Sequence, residues 1–335
     1  MRQTADLSPL ADDQGHLRIL TIDARAALRK AIAEVTSTTT DEVPRREVIA
    51  FKRAVLQRLA SLATAVLIDD DYCYPDCMDA IPPGIGVLFP AEESEYERAG
   101  TNNLEYKERI GWNEADVLAA KPHGVKFLVH YRADGSPDVV RHQREIVQQL
   151  GELCKSKGLI YIIEPIAYPL FPDELSGERA SATWAKRRAD IILDFASEFS
   201  QPQYLADLLK VEFPVNLQHV AGSLYDSAPS AKVFGVEDVQ RCCRQFDAAT
   251  PLPWAILSFG VPLEEFVAQL QFAAAAGACG FLAGRSIWKT ALGLWGSPSA
   301  MDVELRFACA ENLQKMNAAM ANAKPWNAKS LARSS

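Results

Sequence analysis

The sequence predicts an α/β protein that folds as one (β/α)8 TIM barrel. Eight short runs rich in aliphatic and β-branched residues alternate with longer amphipathic stretches, which is typical of parallel strands joined by helical crossovers. The length of 335 residues suits eight such repeats in a single domain. A doubly wound open sheet is the main alternative, but no GxGxxG motif follows an early strand.

The predicted elements cover most of the chain. Strands are predicted at 17–23, 64–70, 84–89, 124–131, 159–164, 206–215, 254–258 and 279–283, and helices at 46–62, 139–157, 181–199, 236–248, 262–276 and 302–321. The barrel is expected to span 16–323, between tails at 1–15 and 324–335. The polar stretch 91–113 is predicted to be an insertion with short helices near the barrel mouth.

Composition disfavours several classes of protein. The chain has 35 Lys and Arg against 43 Asp and Glu, a net charge of -8, with no long basic run, so a nucleic-acid partner is not expected. The N-terminus is charged where a signal peptide would be apolar, and the longest apolar stretches are interrupted, so neither secretion nor a membrane span is expected. The seven cysteines lack zinc-finger spacing and indicate reduced thiols in a cytoplasm.

Ionisable residues inside buried strands are the most informative positions. Lys210 lies in the middle of LLKVEFPV, and Glu212 points to the same face. The lysine is either a structural partner of Glu212 or another acid, or an amine placed for covalent carbonyl chemistry. Lys126, in GVKFLVHY, favours the second interpretation, because a neighbouring cation and burial both lower the pKa of an amine. Alternatively, Lys126 neutralises an acid.

Two acids follow or end other strands. Glu164 is expected to close the strand LIYIIEP, and the carboxyl ends of barrel strands carry the active site. Asp23 ends the first strand, where catalysis and capping of the following helix are both compatible with the sequence.

The last two strands predict an anion site. Gly260 in LSFGVP and Gly284 in AGRSIW each follow a strand, and Arg285 adds a charged fork of donors. The five histidines form no HxH or HExxH motif, so the ligands for a zinc mechanism are not expected.

Motifs in order along the chain resemble the class I tagatose-1,6-bisphosphate aldolase family, which includes sulfofructosephosphate aldolases. They are TIDARAAL, LIDDDY, GVKFLVHY, IIEP, LLKVEFPV, LSFGV, FAAAAGACGFLAGRSIW and KPW, from about residue 17 to residue 326. The family usually has Gln after the first-strand Asp and Gly after the following Arg, whereas this chain has Ala24 and Ala26.

The resemblance implies a Schiff-base aldolase that needs no metal or other cofactor. Lys210 would form the imine with dihydroxyacetone phosphate, Glu164 would be the acid and base, and Asp23 and Lys126 would position the substrate. The phosphate or sulfonate would bind at Ser258, Gly260, Gly284 and Arg285.

The expected reaction is cleavage of a ketose phosphate such as tagatose 1,6-bisphosphate into dihydroxyacetone phosphate and an aldehyde such as glyceraldehyde 3-phosphate. The expected partner is thus a small sugar phosphate, and a homo-oligomer is compatible with the sequence. The alternatives are cleavage of a sulfosugar phosphate, or a phosphate-binding barrel that acts as an isomerase, decarboxylase or sensor without a covalent intermediate.

Overall fold

The chain folds into a closed barrel of eight parallel strands. The computed structural model describes residues 5–100, 103–175, 182–225 and 232–329. The barrel strands are β1 (Leu17–Thr21), β2 (Ala65–Leu67), β3 (Gly86–Pro90), β6 (Gly124–His130), β7 (Ile160–Ile166), β8 (Leu208–Glu212), β9 (Trp254–Leu257) and β10 (Gly280–Ala283). They follow one another around the barrel in this order, and β10 pairs with β1 to close it. The two remaining strands, β4 (Glu97–Ala99) and β5 (Glu105–Lys107), form a separate antiparallel pair.

Helices cover the outside of the barrel. They are α1 (Ala26–Thr36), α2 (Arg45–Leu59), α3 (Glu114–Ala119), α4 (Pro137–Lys157), α5 (Pro172–Leu175), α6 (Ala182–Glu198), α7 (Val236–Ala249), α8 (Leu263–Ala276), α9 (Arg285–Leu292), α10 (Pro298–Glu304) and α11 (Ala310–Ala319). Their ends follow local chemistry: α4 starts at a proline and ends before Gly158, whose φ of 69° few other residues adopt. The predicted helix 302–321 is instead α10 and α11 joined by a π-helical turn at Leu305–Cys309.

The alternation of side chains along each strand separates two cores. Leu17, Ile19, Ile160, Ile162 and Leu208 belong to a small cluster that fills the amino-terminal half of the barrel interior. Residues of the opposite parity pack against the helices in a much larger cluster. Side chains two positions apart on a strand point to the same face. The next inward-facing side chains toward the carboxyl ends of these strands are polar, and they belong to the site described below.

The eight predicted strands are confirmed, with changed ends. Glu164 was expected to close its strand, but β7 continues through Pro165 to Ile166. Pro165 lies beyond the part of β7 that pairs with β8, which ends at Ile163, so its missing N–H interrupts no ladder bond on that side.

The insertion at 91–113 differs from the expectation of short helices. It contains the hairpin of β4 and β5 and an isolated bridge between Glu92 and Ile110. Tyr96 and Tyr106 are strand-favouring residues, and their rings lie 6.3 Å apart at an angle of 82°. These aromatic contacts favour the hairpin over helical turns.

Both terminal segments expected to be tails contact the barrel where the structure describes them. Leu7 and Leu10 are fully buried in the interior cluster. The Trp326 amide donates to the Gly15 carbonyl over 2.9 Å, and Lys329 donates to the Asp247 carbonyl over 2.8 Å. Across the described ranges, no helix has the length and apolar character needed to cross a membrane.

Candidate active site

A cavity of about 330 Å³ opens at the carboxyl ends of the strands. All eight residues expected in the site line it: Asp23, Lys126, Glu164, Lys210, Ser258, Gly260, Gly284 and Arg285. Ala24 and Ala26 line it too, so the positions where this chain departs from the family pattern face the same space.

Glu164 lies between the two buried lysines at the bottom of this cavity. Lys210 Nζ lies 2.8 Å from Glu164 Oε1, and Lys126 Nζ lies 3.2 Å from Glu164 Oε2. Lys210 and Lys126 are only 5% and 2% exposed, so water competes weakly for these contacts. The sequence expectation that the two lysines converge agrees with this geometry.

Lys126 contacts three carboxylates. It makes a short hydrogen bond with Glu92 and lies 3.2 Å from Asp23 Oδ2, in addition to its contact with Glu164. Burial acts to lower the pKa of Lys126, but the carboxylates of Glu92, Glu164 and Asp23 together raise it well above its ordinary value. The three carboxylates therefore favour the charged form of Lys126, which makes it a weaker candidate for the nucleophile than Lys210.

Asp23 is held ionised by the same group of charges. Burial acts to raise its pKa, but Lys126 and Lys210 outweigh burial and lower the pKa of Asp23 to about 2. The residue that precedes α1 directly is Arg25, and no side chain caps this helix. Asp23 instead lines the cavity and pairs with Lys126, with no hydrogen bond to the start of α1 among the described residues.

The pairing of Lys210 with Glu212 that their spacing suggested is not formed. Glu212 accepts hydrogen bonds from Arg188 Nη2 over 2.9 Å and from the Ala167 amide over 2.7 Å. Residues two apart on a strand are separated by about 6.6 Å along its axis, so Glu212 lies nearer the rim. The partner of Lys210 comes from the neighbouring strand instead.

The loop after β9 and the start of α9 both line the cavity, where the sequence predicts an anion site. Phe259 and Gly260 have consecutive positive φ angles of 48° and 71°, and both residues line the cavity. Gly284 is the N-cap of α9, and a Cβ there would lie 2.4 Å from the Thr21 carbonyl oxygen, so only glycine fits. Arg285 is exposed and has no ion-pair partner among the described residues.

Sequence reasoning missed Glu92, which is 3% exposed and accepts from Lys126 and from the Leu128 amide over 3.1 Å. Its position was a usable signal, because it follows β3 just as Asp23 follows β1. Assignment of 91–113 to an insertion concealed it.

Sequence reasoning also missed His130, which lines the cavity beside Ser94 and Tyr96. Its Nδ1 lies 2.7 Å from Glu108 Oε1. No spacing rule predicts this pair, because 22 residues separate its members.

In the ranges 5–100, 103–175, 182–225 and 232–329, no three His, Cys, Asp or Glu side chains are grouped so that they could hold a metal ion. The acids of the cavity are instead paired with lysines.

Comparisons with known proteins agree with this architecture. The structure of fructose-bisphosphate aldolase from Plasmodium falciparum superposes with a TM-score of 0.68 at 13% identity, covering 95% of this chain and 93% of that chain. An archaeal fructose 1,6-bisphosphate aldolase superposes with a TM-score of 0.55 at 12% identity, covering 92% and 97%. At these identities the likeness concerns the fold.

Proteins matched by sequence share a higher identity with this chain than these structures do. Tagatose 1,6-diphosphate aldolase 2 of Enterococcus faecalis is 30% identical over 334 residues, which cover 97% of this chain and 96% of the relative. Tagatose 1,6-diphosphate aldolase 1 of Streptococcus mutans is 30% identical over 284 residues, covering 84% and 83%. Residues 17–290 match the family described as DeoC/LacD family aldolase. The chain therefore belongs to the DeoC/LacD family of aldolases, which makes it a carbon–carbon lyase.

Proposed function

We propose that this protein is a class I aldolase that cleaves a ketose phosphate such as tagatose 1,6-bisphosphate, with Lys210 as the imine-forming residue. The observation that carries the proposal is the 2.8 Å contact between Lys210 Nζ and Glu164 Oε1 in a buried cavity that also contains the cation Lys126. A carboxylate at this distance can take the proton that the ammonium group must lose before it attacks a carbonyl.

The reaction then follows from the chemistry of an imine. Neutral Lys210 attacks the C2 carbonyl to give a carbinolamine. Its hydroxyl group leaves as water with the proton that Glu164 took from Lys210, which produces an iminium that accepts electrons and leaves Glu164 as a carboxylate. Glu164 Oε2 lies 3.2 Å from Lys126 Nζ without accepting a hydrogen bond from the described residues, so it can take the proton of the C4 hydroxyl. The C3–C4 bond breaks, its electron pair enters the iminium, and the aldehyde leaves. The resulting enamine is protonated at C3 and hydrolysed to dihydroxyacetone phosphate and free Lys210.

The remaining cavity residues hold the substrate. Asp23 and Lys126 would bind its hydroxyl groups, because their opposite charges provide an acceptor and a donor side by side. Ser258, Gly260, Gly284 and Arg285 would bind the C1 phosphate through a hydroxyl, backbone N–H groups and a guanidinium. An aldolase of this kind needs no metal, since the iminium withdraws the electrons. All seven cysteines are free and buried, which supports action in a reducing cytoplasm.

Borohydride trapping tests the proposal. Incubation with dihydroxyacetone phosphate and borohydride should attach a stable mass increment to the peptide that contains Lys210. Lys210→Ala should abolish the label and the activity. Lys52→Arg is a matched control, because Lys52 is a buried lysine that pairs with Asp69 outside the cavity. A label on Lys126, or no label at all, would contradict the assignment.

A panel of substrates tests which ketose phosphate the protein cleaves. Cleavage of tagatose 1,6-bisphosphate should exceed that of a sulfofructose phosphate if the second anion is a phosphate, and the reverse order would assign the chain to sulfosugar breakdown. A labelled protein that cleaves neither compound would limit the proposal to imine formation.

A further inference from the structure

The wall of the cavity opposite the anion site is built around His130. In the closed barrel, β6 lies four strands from β10 in either direction, so the two strands face each other across the interior. His130 ends β6, and Arg285 follows β10. A substrate anchored by its C1 phosphate at Arg285 and bound through C2 to Lys210 therefore extends its aldehyde half toward His130.

The imidazole of His130 is held in one orientation. Its Nδ1 lies 2.7 Å from Glu108 Oε1, and the ring of Tyr106 stacks on it with centroids 4.0 Å apart at 15°. Tyr96 packs edge-on at 4.9 Å, and the Glu108 carboxylate also accepts the His130 backbone amide over 2.9 Å. Tyr168 adds a third ring contact at 6.2 Å. A ring fixed by a carboxylate and three aromatic contacts loses little freedom when it binds a ligand.

The second ring nitrogen of His130 remains available. A carboxylate only accepts hydrogen bonds, so Nδ1 carries the hydrogen and Nε2 of the neutral ring is an acceptor. Within the described residues, Nε2 has no hydrogen-bond partner. His130 nevertheless lines the cavity together with Lys210 and Glu164.

The charge of the pair indicates what Nε2 binds. Glu108 is fully buried behind the ring, and one of its carboxylate oxygens, Oε2, has no hydrogen-bond partner in the described part of the chain. The His130–Glu108 pair is thus neutral when the ring is protonated and negative when it is not. The negative pair repels a phosphate dianion, whereas Nε2 of the neutral ring accepts a hydrogen bond from a hydroxyl group.

We propose that His130 is a specificity residue whose Nε2 accepts a hydrogen bond from the hydroxyl next to the cleaved aldehyde, which is the C5 hydroxyl of the ketose. Glu108 is a positioning residue that acts through His130. The proposal rests on the aldolase function proposed above, and it extends that function to the aldehyde half of the substrate.

The test compares two aldehydes in the condensation direction with dihydroxyacetone phosphate. Glyceraldehyde 3-phosphate has the hydroxyl, and 3-hydroxypropanal phosphate lacks it. The wild-type protein should prefer the first in kcat/KM by roughly 5- to 100-fold, as expected for a single hydrogen bond to a pre-formed partner. His130→Phe keeps a ring that can stack on Tyr106. It should bring the ratio of the two kcat/KM values close to one, because activity with glyceraldehyde 3-phosphate falls while activity with 3-hydroxypropanal phosphate is unchanged. His130→Gln keeps an acceptor and should give an intermediate ratio.

His142→Gln is the matched control. His142 Nε2 lies 2.8 Å from the Glu108 carbonyl oxygen, so it contacts the same segment, but it does not line the cavity. Its ratio should equal that of the wild type. Glu108→Gln should lower the ratio less than His130→Phe, because an amide oxygen can still accept from Nδ1.

Borohydride labelling with dihydroxyacetone phosphate separates the two proposals. If labelled His130→Phe and His130→Gln variants retain the wild-type ratio, the role of His130 is overturned while the imine chemistry stands. Equal loss with both aldehydes in a labelled variant would also overturn it, since this is the result of a purely structural role. If His130→Phe is not labelled because it misfolds, the His130→Gln ratio decides. Failure of the wild-type protein to be labelled would overturn the proposed function and this inference together.

Discussion

Replacement of Arg285 by alanine should weaken phosphate binding with little effect on bond cleavage. Arg285 is exposed and has no ion pair among the described residues, so no internal partner competes with the substrate. A charge-assisted hydrogen bond contributes about 1.5 to 3 kcal/mol, and a guanidinium can make two to one phosphate. Because solvent reaches the side chain, we expect a total of about 2 to 4 kcal/mol, which is roughly a 30- to 1000-fold loss in kcat/KM.

The steady-state assay of ketose cleavage divides this loss between its two parameters. The phosphate is held equally in the ground state and the transition state, so the loss should appear in KM, while kcat changes little. Arg285→Lys should restore activity only in part, because a point charge cannot reproduce the two parallel hydrogen bonds. Lys289→Ala is the control, since Lys289 is an exposed cation one turn further along α9 and does not line the cavity.

An unphosphorylated ketose provides the refuting measurement. It lacks the anion, so its cleavage should be almost insensitive to Arg285→Ala. If the variant damages cleavage of phosphorylated and unphosphorylated ketoses equally, Arg285 supports the barrel and the anion site has to be placed elsewhere.

Four further measurements test other parts of the site. Glu164→Gln should lower kcat by roughly 100- to 10,000-fold, because the amide cannot transfer the proton, while borohydride still traps the imine. An unchanged kcat would show that Glu164 takes no part in the mechanism. The pKa of Asp23 is lowered from 3.8 to about 2, chiefly by Lys126, so its stabilisation is present above about pH 4 and is lost as the pH falls toward 2. Over this window the unfolding free energy of the wild type should fall by about 2 kcal/mol more than that of Asp23→Asn, and parallel pH curves would refute the assignment. Gly284→Ala should lower the unfolding free energy measured in urea by about 1 to 3 kcal/mol, because its Cβ would lie 2.4 Å from a backbone oxygen at the end of β1. The control Gly296→Ala should leave it unchanged, because a Cβ there would meet nothing within 4 Å. Activity should survive exhaustive EDTA treatment, and a loss that zinc restores would rule out the class I mechanism.

Most of the site could be predicted from local patterns because parallel strands bury nearly all of their side chains. A lysine or glutamate within such a strand has to face a polar interior, and this argument alone identified Lys126, Glu164 and Lys210. Glycines just beyond the last two strands, with Arg285 beside one of them, predicted an anion site, and all three residues line the cavity. The structure of the 91–113 insertion was harder to predict, since a polar segment with few apolar residues shows no clear hydrophobic periodicity. Its hairpin depends on the contact between two tyrosine rings.

The alternation of strands and helices and the inward parity of each strand are encoded locally, because both depend on residues within a few positions of one another. Which side chains meet depends on the way the strands assemble into the barrel. Lys210 contacts Glu164 on the neighbouring strand and not Glu212 on its own, because strand order and register bring residues 46 positions apart to within 2.8 Å. The same holds for Glu92 beside Lys126. Such contacts join neighbouring strands that are far apart in the chain, and no local period in the sequence encodes them.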